Sequence, residues 1–78
     1  MPNSAPSNPF RSARAILAAN VRQLRAEREW SQEDLAAESL LDRSFIAHVE
    51  REARNISIDN IEKLAKAFKI TVAKLLSE

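Results

Sequence analysis

Seventy-eight residues hold one small domain and one modest core, burying roughly 60–65% of the unfolded chain's surface. With 45% apolar and 29% charged residues the chain reads as ordinary soluble globular, with no apolar run near the ~20 residues of a membrane span, no signal-peptide pattern at its start and no cysteine for disulfides or thiolate metal sites. The net charge of +1 is unevenly distributed: residues 1–30 carry five arginines against two glutamates, residues 31–50 five acids against Arg43, and residues 51–78 six basic against four acidic residues. Such a layout permits local positive surfaces if the fold joins the two basic parts. The one histidine, His48, cannot build a multi-histidine metal site alone, and no nucleophile–base pair or carboxylate dyad stands out. The sequence therefore predicts no enzyme and no cofactor or metal, in a cytoplasmic setting that suits a cysteine-free chain.

Residues 1–9 carry all three prolines with serine and asparagine and are expected to form a disordered arm, leaving 10–78 as the folded domain. From Phe10 onward there is no proline, and the whole chain has no glycine. Strand alternation is absent while Ala, Leu, Glu, Lys and Arg dominate, so the fold class is all-α. The first helix runs from about Ser12 to Arg28, with Leu17, Val21 and Leu24 on one stripe.

Four further helix starts share one grammar, an apolar residue, a capping residue, and an apolar residue five positions after the first, the hydrophobic staple around an N-cap. They are Trp30-Ser31 with Leu35, Leu41-Asp42 with Ile46, Ile56-Ser57 with Ile61, and Ile70-Thr71 with Leu75. Asp34 stands where a capping-box acid belongs. The predicted helices are thus 12–28, 32–39, 43–52, 58–68 and 72–77, too short to stand without a shared core. That core is expected to contain Leu17, Val21, Leu24, Trp30, Leu35, Ala36, Ile46, Val49, Ile61, Leu64, Ala65, Phe68, Val72 and Leu75.

Only Leu40 to Asp42 separate the second and third helices, a connection that suits a helix-turn-helix whose second helix enters a DNA major groove. Ala36 supplies the small side chain that two steeply crossing helices need at their contact. Gln32-Glu33-Asp34-Leu35-Ala36, Leu41-Asp42-Arg43-Ser44-Phe45-Ile46, Val49-Glu50-Arg51 and Arg54-Asn55-Ile56-Ser57 resemble the Xre/Cro/lambda-repressor-like helix-turn-helix family. Within it the sequence is similar to the small controller proteins of restriction–modification systems. The resemblance covers about Ile16 to Leu76 and implies a compact five-helix domain. In one respect the chain departs from the family. Where members usually place glycine, before helix 2, in the turn between helices 2 and 3, and after helix 3, this chain has Glu29, Leu40 and Glu52. A left-handed residue there costs a non-glycine about 1–2 kcal/mol, so these ends either use another geometry or carry strain.

If Ile46 and Val49 face the core, the opposite side of the third helix carries Ser44, Ala47, His48 and Arg51. Arg43, at its amino end, is the leading base-reading candidate because a guanidinium bonds guanine O6 and N7 bidentately. The alternative is a solvated arginine paired with an acid such as Glu33. Ser44 is small enough to let the helix approach and can bond a base or phosphate. Ala47 offers a thymine methyl an apolar contact or merely space, and His48 faces the groove or is an ordinary surface histidine. Phe45 matches a family position that often holds tyrosine, and it touches DNA or packs inward.

Gln32 begins the second helix, where free N–H groups and the dipole favour a phosphate. The resemblance implies that Arg51, Arg54 and Asn55 grip the DNA backbone beside the groove, Asn55 alternatively stabilising the turn before Ser57. Arg11 and Arg14 lie within reach of a further phosphate or a minor groove. One short module makes few base contacts, so a homodimer on a palindromic site is expected, with Ile58, Ile70, Val72 and Leu76 at the two-fold contact or, alternatively, in the monomer core. The sequence predicts a transcription regulator that binds double-stranded DNA near the nucleoid, with no membrane, small-molecule ligand or effector domain. The alternative is an antitoxin-like protein-interaction module.

Overall fold

A computed structural model describes residues 11–53 and 55–78; the arm expected at 1–9, with Phe10 and Arg54, lies outside them. The described residues form α1 (Ala13–Arg28), α2 (Gln32–Ser39), α3 (Arg43–Glu50), α4 (Ile58–Phe68) and α5 (Val72–Leu75), with no strand among them. None of these helices is long and apolar enough to cross a membrane.

All four stapled starts are where the sequence places them. Ser31 accepts from Asp34 N while the Asp34 carboxylate accepts from Ser31 N, a complete capping box. Ser57 accepts from Asn60 N and Thr71 from Lys74 N, both at about 3 Å. Asp42 is the N-cap of α3 but makes no side-chain cap bond. Ser12 caps α1 in the same way, through Ala15 N.

The missing glycines resolve into left-handed residues. Glu29, Leu40 and Glu52 have φ of 57°, 62° and 58°, and Lys69, which the sequence reading does not single out, has 60°. The left-handed residue and its successor then bond the open carbonyls of the helix end: Glu29 N to Ala26 O with Trp30 N to Arg25 O, and Lys69 N to Lys66 O with Ile70 N to Ala65 O. Leu41 N reaches Ala36 O likewise. Glu29-Trp30-Ser31, Leu40-Leu41-Asp42 and Lys69-Ile70-Thr71 are therefore one connector used three times, a left-handed residue, an apolar residue and a cap. Its middle residue closes one helix and staples the next. Trp30, Leu41 and Ile70 pack half-buried against the core for that reason.

Two helices end earlier than their patterns suggest. Helix α3 stops at Glu50 rather than 52, because Glu52 turns left-handed and Ala53 N bonds back to His48 O. Helix α5 stops at Leu75 rather than 77, where the Asn20 amide donates to Leu75 O and Ser77 O at 2.7 and 2.8 Å. The core holds Leu17, Val21, Leu35, Ile46, Val49, Leu64, Ala65, Phe68 and Leu75, as expected. Leu24, Trp30, Ala36, Ile61 and Val72 are half-buried around it, while Ala18, Ala67, Ser39 and Glu50 are buried in addition. Trp30 stacks on Phe68 at 5.7 Å between ring centroids, and the Arg28 guanidinium lies over both rings.

Leu40 spends its strain on no packing, since it is 85% exposed. Leu40→Gly removes the left-handed penalty but loosens the unfolded chain, so a net gain of about 0.5–1 kcal/mol is expected in urea melts. A loss of more than about 1 kcal/mol would show that the turn does not hold this residue left-handed.

Candidate nucleic-acid interface

Helix α3 has two unlike sides. Ile46 and Val49 are 0% and 4% exposed and seat it on the core, while Arg43, Ser44 and Arg51 are exposed and Phe45, Ala47 and His48 are half-buried. Phe45 packs partly against the core, between the two readings its sequence position leaves open.

The seat of α3 is polar as well as apolar, and its centre is a residue that the sequence reading misses. Glu50, the last residue of α3, is buried at 8% exposure. Arg25 of α1 grips it with both sides of its guanidinium, Nε donating to Oε2 at 2.6 Å and Nη2 to Oε1 at 2.9 Å. The remaining Nη1 of Arg25 donates to Trp30 O in the α1–α2 connector at 2.8 Å. Arg22 donates to the Glu50 backbone carbonyl, capping the end of α3. Gln32, at the first position of α2, adds Nε2 to Glu50 Oε1 at 3.1 Å. One carboxylate thus ties three helices together.

Burial pushes the Glu50 carboxyl up, but hydrogen bonds from Arg25 and Gln32 and the charges of Arg25 and Arg22 outweigh it, leaving the carboxyl below its ordinary range. The hydrogen bond to Glu50 outweighs partial burial at Arg25 and raises its already high value. A sequence signal for the pair exists. Glu50 follows Ile46 and Val49 on the core stripe of α3, and Arg25 follows Val21 and Leu24 on that of α1, so each of the two helices carries charge on its buried side.

Around this anchor the expected site residues divide. Arg43 Nη1 donates to Gln32 Oε1 at 3.5 Å, and Arg43 Nε lies 3.8 Å from Glu33 Oε2 in an exposed ion pair. The acidic neighbour of the alternative reading of Arg43 is thus present, while Arg43 itself is exposed at the amino end of α3. Arg51 Nη2 donates to His48 Nδ1 at 3.0 Å, and since a guanidinium only donates, that nitrogen accepts. Asn55 is exposed at the start of the segment leading to α4, and Arg14 is exposed on α1. Arg11 pairs with Glu78 at 3.6 Å. Of the residues expected at a two-fold contact, Ile58 is 73% exposed, while Ile70, Val72 and Leu76 are half-buried against the chain's own core.

A family model described as helix-turn-helix matches residues 21–75. A hypothetical transcription factor of Neisseria meningitidis is 46% identical over 63 residues, which are 81% of this chain and 59% of that protein. This chain therefore spans less than two thirds of that relative. A crystal structure of the Neisseria factor superposes with a TM-score of 0.83 at 40% identity, covering 99% of this chain and 86% of the other. The control protein C.BamHI of Bacillus amyloliquefaciens is 44% identical over 64 residues, 81% of this chain and 79% of that one. The restriction–modification controller protein C.AhdI of Aeromonas hydrophila superposes with a TM-score of 0.75 at 44% identity, covering 80% and 94% of the two chains.

Because the Glu50 carboxyl is depressed in the folded state, its stabilisation is fully present above the ordinary value of 4.5 and is lost as pH falls through the lower, folded value. Glu50→Gln, which keeps the shape without the titration, should be less stable at pH 7 by about 3 kcal/mol. The difference from wild type should shrink at pH 3 in urea melts. A gap that stays constant with pH would mean that Glu50 does not anchor the fold as a carboxylate.

Proposed function

The chain belongs to the helix-turn-helix family, and on that premise we propose that it is a sequence-specific DNA-binding transcription regulator, acting as a homodimer on a palindromic operator. The observation that carries this reading is the two-sided α3, buried through Ile46 and Val49 and presenting Arg43, Ser44 and Arg51 outward. The similarity to a control protein and to a restriction–modification controller protein supports regulation of that kind. As a regulator of cytoplasmic DNA the protein needs no cofactor and no catalytic step.

In this reading Arg43, Ser44, Ala47 and His48 meet base edges. A guanidinium at the amino end of the helix reads guanine, and the small Ser44 and Ala47 let the helix approach. Arg51, Arg54 and Asn55 hold phosphates beside the groove, Phe45 lies against the sugar edge, and the N–H groups of the first turn of α2 add a neutral contact. A single module of this size covers too little DNA for specificity, so two copies read half-sites about 34 Å apart, one helical turn. Ile58 leads their contact, being the most exposed of the four apolar residues assigned there, with Ile70, Val72 and Leu76 at its edge.

Selection of binding sites from random duplex DNA tests function and symmetry together. The wild type should enrich a palindrome with half-site centres about one helical turn apart. Ile58→Asp should sediment as a folded monomer and enrich a single half-site. Enrichment of no motif by the wild type would contradict specific DNA binding. A variant that remains dimeric and still selects the palindrome would place the two-fold contact elsewhere.

A further inference from the structure

We propose that Asn20 is a positioning residue for the two-fold contact: by holding α5 on α1 it fixes how far apart two copies set their third helices. This rests on the homodimer reading, with Val72 and Leu76 at the edge of the contact.

A helix of four residues has no stability of its own, because nucleation costs more than one turn returns. The attitude of α5 is therefore imposed from outside. At its start the Thr71 hydroxyl accepts from Lys74 N at 3.0 Å, and its last residue, Leu75, is buried in the core. Beyond that point Leu76 N and Ser77 N turn back to Val72 O and Lys74 O. The carbonyls of Leu75 and Ser77 are served by another helix: Asn20 Nδ2 donates to them at 2.7 and 2.8 Å. An amide nitrogen carries two protons, and here each has a partner. Both partners are carbonyl oxygens that only accept, so the amide has one orientation.

Asn20 stands among Leu17, Val21 and Leu24 on the stripe of α1 that faces the core. A poor helix former, polar on an apolar stripe, does nothing for α1 itself, and its place is explained by what it holds. Farther along the same helix Arg22 donates to Glu50 O and Arg25 pairs with the Glu50 carboxylate, at the end of α3. One helix thus holds α3 through Arg22 and Arg25 and α5 through Asn20. Five residues, about 7.5 Å of α-helix, separate Asn20 from Arg25. Any shift of α5 on α1 moves Val72 and Leu76, and with them the second copy, relative to α3. A second polar tie, Arg11 to Glu78 at 3.6 Å, is an exposed ion pair that water and salt weaken.

Half-site spacing separates positioning from simple stabilisation. Wild type, Asn20→Ala and Asn20→Asp are compared, the first variant removing the donors and the second replacing them by acceptors of the same shape. The dimer dissociation constant is measured by sedimentation, and affinity is measured for a duplex carrying one half-site. Selection then runs on duplexes in which the gap between two half-sites varies by single base pairs. In both variants the dimer constant should rise about fivefold to tenfold while half-site affinity stays within about twofold. The wild type should enrich one spacing, and the variants neighbouring spacings about equally. Folded variants that keep the dimer constant and the single spacing would overturn the proposal. A parallel loss of half-site affinity would overturn it too, because Asn20 would then act through the seat of α3. A wild type that stays monomeric on the two-half-site duplex would remove the homodimer reading and the proposal with it. The wild type also gives a readout without substitution: the Asn20 side-chain amide protons should be protected from exchange. Exchange as fast as that of a solvated asparagine would show that α5 is not held this way.

Discussion

The placement of α3 depends on the buried ion pair between Arg25 and Glu50. Three short helices meet there, and apolar packing alone fixes their spacing better than their rotation, since Leu, Ile and Val contacts have no direction. A bidentate guanidinium–carboxylate pair does have direction. It fixes the end of α3 against the middle of α1, and the third guanidinium nitrogen fixes the connector from which α2 begins. Breaking such a pair leaves an unpartnered buried charge at about 3–5 kcal/mol, a large share of what a domain this small possesses. Replacing both partners by apolar groups is another matter. That exchange is often neutral or favourable, so the pair serves orientation more than stability.

Orientation is also what the repeated connector supplies. A left-handed residue, an apolar residue and a cap change the chain's direction within three residues, and the apolar residue belongs to both helices it joins. With no glycine in the chain, Glu29, Leu40 and Lys69 adopt the left-handed conformation at a steric cost that glycine would avoid. In return the unfolded chain is less flexible at those points. The connectors restrict the angles between helices, which in the proposed reading suits a third helix that must arrive at a groove in one attitude.

Most of this architecture is legible in the sequence because staples and caps are local. Trp30-Ser31, Leu41-Asp42, Ile56-Ser57 and Ile70-Thr71 each announce a helix within six residues, and each helix begins where its cap stands. Helix ends are harder to read without glycine. Family comparison flags Glu29, Leu40 and Glu52, whereas Lys69 carries no such flag and needs the backbone to be seen. The Arg25–Glu50 pair lies 25 residues apart, and an amphipathic reading treats charged residues as the solvent side by default. Only their positions on otherwise apolar stripes betray them. Among the residues assigned to DNA, the outward set of α3 follows from periodicity, but the inward hold on Gln32 does not, because it passes through a residue whose burial no local pattern states. The same holds for Ile70, Val72 and Leu76, whose apolar character fits either an interface or a core; only exposure separates Ile58 from them.

The central claim is that the polar seat of α3 sets how the helix is presented rather than whether the domain folds. Arg25→Met with Glu50→Leu tests it most directly, with a urea melt and an operator titration on the same preparation. The account predicts a melt equal to wild type or slightly more stable, together with at least a tenfold loss of operator affinity, about 1.4 kcal/mol. Undiminished operator affinity in a folded double variant would contradict it, because α3 would then be presented correctly by apolar packing alone.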